Sequence, residues 1–213
     1  MGEGETPDTE QVTAMAATEP TTRRTVLHGE PPFTVDDLLT FPDDGNRYEL
    51  FNGSLLVSPS PVPLHQRAIA RLLAIFEVAA PPEFEPLPEV NLRVSRRDFF
   101  IPDLVVVPAE AVDKTELMFA PRDILLAVEM VSPSTRARDR HLKRAAYAAA
   151  GIPVYWRIEL SDGPSVHVHE LAGDEYKAAE KHEAGEVASL LAPFEVSFDP
   201  AVLLRPRDRR GRS

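Results

Sequence analysis

Apolar residues in this chain come mostly in runs of strand length, punctuated by proline, glycine and asparagine, with three stretches at helical spacing between them. The longest run, Ile124-Leu125-Leu126-Ala127-Val128-Glu129-Met130-Val131, reads as a strand buried on both faces with one carboxylate set inside it. Such a charge costs several kcal/mol unless something compensates it, and a metal ion is the expected partner of Glu129. Upstream, residues 99–107 read as a second strand in which Asp103 follows Pro102. Downstream, residues 139–150 read as a helix that ends at Gly151, with Pro153 beyond it.

Around these lie weaker elements. Thr34 caps a short helix over residues 35–39, with acids in its first turn where the helix dipole favours them. Arg47–Phe51 and Ser54–Ser58 flank Asn52-Gly53, a strong hairpin signal. Residues 64–80 bring Leu64, Ala68, Ile69, Leu72, Leu73 and Phe76 to one side, as in an amphipathic helix packed on a sheet. Prolines 81, 82, 86 and 88 stop it, residues 89–94 alternate as a strand, and residues 108–122 form a looser stretch. Residues 154–160 predict a strand, 165–171 and 175–182 a hairpin, and 194–198 a last strand. The order of elements predicts an α/β fold, a mixed sheet flanked by helices.

At 213 residues, 43% hydrophobic and 27% charged, the chain suits one domain with tails: a disordered leader over 1–30, the domain over 31–200 and a basic tail over 201–213. The leader holds six acids and two arginines, the tail five arginines and one aspartate, so the tails cancel and the domain keeps the whole formal charge of -11. That balance argues against holding nucleic acid by a broad positive surface. The absence of cysteine excludes disulfides, thiolate metal sites and cysteine nucleophiles, and suits a reducing compartment. No apolar run approaches membrane-spanning length and no secretory signal opens the chain, so a cytoplasmic protein with no membrane partner is expected. Met1-Gly2 formally opens a myristoylation pattern, but no basic patch is there to reinforce one acyl chain.

The candidate chemistry lies where two strands and a helix meet. Asp103 and Glu129 offer carboxylate ligands, and the Met130 carbonyl a further oxygen, for magnesium or manganese. Such an ion lowers the pKa of bound water and neutralises charge growing on phosphoryl oxygens, and a lysine can assist. Lys143 is that lysine, since Asp139, Lys143 and Tyr147 share one helical stripe. Glu49 is either an outward residue of an alternating strand or a further acid of the site. His65 is either a histidine of the helix start or a functional group. Arg136, Arg138, Arg140 and Arg144, with His141 and Lys143, make the densest positive segment and a candidate nucleic-acid contact, to which Arg93, Arg96 and Arg97 could add.

The series Tyr48-Glu49-Leu50, Asn52-Gly53, Ser58-Pro59-Ser60, His65, Pro102-Asp103-Leu104, Val128-Glu129, Val131-Ser132-Pro133-Ser134-Thr135, Asp139, Lys143, Tyr147, Gly151 and Tyr155-Trp156 resembles the Uma-two family of restriction endonucleases, within the PD-(D/E)XK nuclease superfamily. The resemblance spans about residues 34–200 and implies a restriction-endonuclease-like core, a divalent metal and hydrolysis of DNA phosphodiesters. By position, Asp103 matches the motif aspartate and Glu129 the second acid. The usual lysine two residues later is Val131 here, and Lys143 on the neighbouring helix is its natural substitute. Glu49 and His65 match recurrent family positions, while Tyr147, Tyr155 and Trp156 read as packing aromatics. Because members of this fold often pair to cut two strands, the resemblance also allows a homodimer. The rival reading is a non-catalytic binding module that keeps the fold, with Val131 marking a lost lysine. The two differ on whether the Lys143 amine reaches both carboxylates. A two-carboxylate glycosidase explains neither the lysine nor the arginines.

Overall fold

The strand Leu126–Val131 (β7) is buried at all six positions and forms the centre of a seven-stranded mixed sheet. The computed structural model describes residues 29–58, 61–131, 141–161 and 163–206. On one side β7 pairs antiparallel with Leu104–Pro108 (β6), which pairs in turn with the edge strand Phe84–Pro88 (β3). On the other it runs parallel to Val154–Glu159 (β8), the partner a crossover helix delivers. Beyond β8 lies Ser165–Ala172 (β9), which pairs with both Glu175–Tyr176 (β10) and Glu180–Glu183 (β11).

Alternation along β6 and β7 sorts their side chains between two cores. Leu104, Val106, Leu126, Val128 and Met130 pack with Ile69, Leu72 and Phe76 of the helix Pro63–Ala79 (α2). Val105, Val107 and Ala127 pack with Tyr147 and Ala148 of the helix Lys143–Ala149 (α4). With both faces covered, the strands can be apolar at every position, as their sequence is. On the α2 face, Phe76 meets Trp156 edge-on, ring centroids 5.3 Å apart. The hairpin Ala188–Leu190 (β12) and Val196–Phe198 (β13) adds Ala188, Leu190, Val196 and Phe198 to that core.

A smaller sheet, ordered β2-β1-β5-β4, comprises Ser54–Ser58 (β2), Arg47–Phe51 (β1), Phe99–Phe100 (β5) and Leu92–Arg93 (β4). The β1–β2 turn is the predicted one, with Asn52 at φ 50° and Gly53 at φ 75°. A Cβ on Gly53 would lie 2.6 Å from the Pro32 side chain, so glycine is required there by space as well as by φ. Thr34 caps Val35–Leu38 (α1) as expected, in a reciprocal box with Asp37.

The mixed α/β fold agrees with the expectation from sequence; several element boundaries do not. The predicted strand over 99–107 divides at Ile101-Pro102-Asp103, β5 joining the small sheet and β6 the large one. Only Leu92–Arg93 of 89–94 is a strand, whereas β3 runs through Pro86 and Pro88, where the prolines predict a stop. An edge strand tolerates proline because one of its sides needs no donor. The loose stretch 108–122 contains a helix, Ala109–Lys114 (α3), and β12 lies where the pattern predicts nothing. The expected leader, all but its last two residues, and the end of the basic tail from 207 lie outside the described residues. Among the described residues no helix is long and apolar enough to cross a membrane.

His169 on β9 stacks on Tyr155 with centroids 5.5 Å apart and is buried at 5% exposure. Burial lowers its pKa from 6.5 to about 4. Between those values the unfolded chain holds a proton that the folded chain refuses, so stability is complete above pH 6.5 and falls as the pH drops toward 4. After allowance for solvent screening near the sheet surface, acidification from pH 7 to 5 is expected to cost about 1 kcal/mol through this residue. Urea unfolding of the native chain and of His169→Phe at both pH values checks it: the variant should lose about that much less.

Candidate active site

The β6–β7 ladder ends at Leu104 opposite Val128, and continuing its register sets Pro102 opposite Met130. Proline has no N–H to offer the Met130 carbonyl, so the reciprocal ladder pair cannot form there, and both polar groups of Met130 take side-chain partners. Its N–H donates to Asp103 Oδ2 at 2.8 Å, and its carbonyl lies 3.1 Å from His65 Nε2. The interruption that divides the predicted strand thus coincides with Asp103 standing beside β7.

Four elements converge here. Glu49 comes from β1, His65 from the first turn of α2, Glu129 and Met130 from β7, and Lys143 from the start of α4. Their exposures are 3% for Glu49, 8% for His65, 5% for Asp103, 2% for Glu129 and 2% for Lys143, so their charges must be balanced by one another. Lys143 Nζ lies 2.8 Å from Glu49 Oε1 and 2.8 Å from Glu129 Oε1. The Tyr147 hydroxyl, one turn along α4, donates to Glu129 Oε1 at 2.7 Å. Burial and the nearby Glu129 hold that hydroxyl well above its ordinary 10, so it remains a donor. The sequence reads Tyr147 as packing alone; its ring does pack against Phe100 and Tyr155, while its oxygen serves the site.

The partner demanded by the charge in β7 is therefore visible: Lys143 and Tyr147 compensate Glu129 directly. Asp103 is held differently. His65 Nε2 lies 3.2 Å from Asp103 Oδ2 and Arg47 Nη1 3.2 Å from Asp103 Oδ1. Burial alone would raise the Asp103 pKa, but His65, then Arg47 and Lys143, outweigh it and hold the carboxyl below 3.8. Reciprocally, burial lowers the His65 pKa, but Asp103 outweighs it and leaves the imidazole above 6.5.

Of Asp103 and Glu129, the two carboxylates whose reach separates the readings, Lys143 contacts Glu129 and acts on Asp103 through its charge, and it also contacts Glu49. Val131, at the usual lysine position, is buried at 2% exposure. Sequence reasoning misses Arg47, which also donates to the Ile101 carbonyl at 2.7 Å and meets Glu89 at 3.2 Å. The signal was there, since Arg47 lies two residues before Glu49 on the same strand and hence on the same face. Arg144 turns away from the cluster and donates to the Tyr176 carbonyl at 3.0 Å. Arg136, Arg138 and Arg140 lie outside the described residues, as does Asp139. Arg93 reaches Asp36 at 3.6 Å on the small sheet.

Among the described residues no group of three or more histidine or acidic side chains is arranged to hold a metal ion. Magnesium asks for less, commonly one or two carboxylates completed by water and substrate phosphate. The donors of Asp103 and Glu129 are hard oxygens, and Met130, whose carbonyl is a third, directly follows Glu129 in the chain and donates its amide to Asp103. This donor set fits that ion chemically.

The model of the Uma2 family, described as "Putative restriction endonuclease", matches residues 35–203. The chain belongs to the Uma2 family. This Uma2 chain is also similar to the crystal structure of "a putative nuclease belonging to DUF820" from Anabaena variabilis, with a TM-score of 0.67 and 17% identity over 82% of this chain and 100% of that one. At that identity the likeness is one of fold, and it agrees with a restriction-endonuclease-like core. No curated protein matches the chain. Family and fold together support a nuclease, and with it a nucleic-acid substrate.

Proposed function

We propose that this Uma2 chain is a magnesium-dependent endonuclease that hydrolyses DNA phosphodiester bonds, with Asp103 and Glu129 as metal ligands and Lys143 as the assisting cation. The observation that carries the reading is the buried lysine at 2.8 Å from both Glu49 and Glu129, delivered from α4 to the end of the strand that bears Glu129. Asp103, Glu129 and the Met130 carbonyl would hold the ion, which supplies Lewis acidity and lowers the pKa of bound water. Manganese would serve as well, being another oxygen-preferring divalent ion.

The chain's own residues have distinct tasks. Lys143 keeps the two carboxylates of Glu49 and Glu129 together and sets a positive charge where negative charge grows on the phosphoryl oxygens. Tyr147 fixes the orientation of Glu129, and His65 and Arg47 fix that of Asp103. Each is a positioning residue. The carboxylates of Glu49 and Glu129 are the groups able to accept the proton of an attacking water.

Calorimetric titration with magnesium and manganese tests the metal centre. One binding event of millimolar or tighter affinity is expected, lost in both Asp103→Asn and Glu129→Gln. Binding unchanged by either substitution, or no binding with or without an uncleavable oligonucleotide, would overturn the metal-dependent reading.

A further inference from the structure

Outside the buried cluster, a cavity of about 790 Å³ runs between the outer face of α2 and the segment after β13. Arg67, Ala70, Arg71 and Ala74 of α2 form one wall, with Val202 and Arg205 opposite. Arg67 and Arg71 are one turn apart, and Ala70 between them and Ala74 beyond Arg71 are small and exposed, so the arginines stand beside a shallow floor. Among the described residues no acid lines this groove, although the domain as a whole carries -11. Arg71 Nη1 donates to the Val202 carbonyl, which fixes that guanidinium at the wall. Arg205 meets Asp199 Oδ2 at 3.4 Å yet remains 65% exposed. The chain beyond Pro206 adds four more arginines against one aspartate.

The groove lies on the side of α2 away from the core, whereas His65, buried with Ala68, Ile69, Leu72 and Phe76, lies on the core-facing side. His65, whose ring reaches Asp103 and Met130, lies two residues before Arg67 on the same helix. Arg71 is six residues from His65, about 9 Å along the helix axis. We infer that Arg67, Arg71 and Arg205 form a track for the phosphate backbone of nucleic acid along the outer face of α2. Charge complementarity carries this: guanidinium forks match phosphate oxygens, and contacts of this kind position a duplex without reading its sequence. It rests on the nuclease reading for its ligand, and it replaces a broad positive surface, which the net charge argues against, with a narrow one.

The test is fluorescence anisotropy of a labelled 30-base-pair DNA duplex in EDTA, where no metal-dependent cleavage occurs, across a range of salt concentrations. Arg67→Ala/Arg205→Ala removes two exposed arginines and should leave folding intact. The track predicts weaker binding and a salt dependence shallower by about 2 in log-log slope, one for each lost phosphate contact. Arg71→Ala should extend the effect, with thermal unfolding checked because that side chain also braces the Val202 segment. Unchanged affinity and slope in the double variant overturn the track, even if the native chain cleaves DNA. Loss of binding in the double variant upholds it even if the native chain proves unable to cleave.

Discussion

Replacing Lys143 with alanine is expected to lower the unfolding free energy by about 3–5 kcal/mol, because it takes from two buried carboxylates the cation in contact with them both. Glu49 and Glu129 are 3% and 2% exposed, and the lysine amine lies 2.8 Å from each. Without it, Tyr147 still donates to Glu129, and the Ile101 amide still donates to Glu49 at 2.8 Å, but neither group carries positive charge. Urea unfolding at neutral pH measures the loss. The pairing is separable from packing by a double-mutant cycle, since Lys143→Met combined with Glu129→Gln removes a charge of each sign and should recover part of the single-variant cost. A loss under about 1 kcal/mol, in the range of an exposed pair, would mean that Lys143 does not balance these acids.

The larger effect is on rate. Glu129→Gln keeps the size of the side chain and leaves Lys143 beside Glu49, yet removes the anion, and Asp103→Asn does the same beside Met130. Each is expected to slow phosphodiester cleavage by at least about 100-fold, the scale on which loss of one preorganised electrostatic group is felt. The losses should not add in the double variant, because residues that act as one unit fail together. His65→Gln gives a useful contrast: an amide can still donate to Asp103 or Met130, so a positioning role predicts a smaller loss than either acid.

Much of this was legible in the sequence where one force dominated. The turn at Asn52-Gly53 is legible because two successive positive φ angles strongly favour those residue types. Glu129 is legible because a lone acid in an apolar strand is costly whatever surrounds it. Its partner was harder to read. A lone buried carboxylate requires compensation of some kind, and only the tertiary structure sets Lys143 and Tyr147 against it. Likewise β3 is hidden by prolines that an edge position tolerates, and edge position is a property of the assembled sheet. The splitting of residues 99–107 between two sheets falls where Pro102 would stand opposite Met130, which is a matter of register. Arg47 was legible in principle from its two-residue spacing to Glu49, had the strand's buried face been known.

The family match spans most of the described chain and the fold agrees with it, so the open question is whether the buried acids perform hydrolysis. The direct measurement is single-turnover cleavage of an end-labelled DNA duplex by the purified chain in magnesium, with Asp103→Asn and Glu129→Gln prepared alongside and all three shown to be folded. A metal-assisted site at these residues predicts cleavage by the native chain that EDTA stops and that falls at least about 100-fold in each variant. Cleavage that persists at the native rate in both variants, or a folded native chain that binds the duplex and leaves it intact in magnesium and manganese, would contradict it.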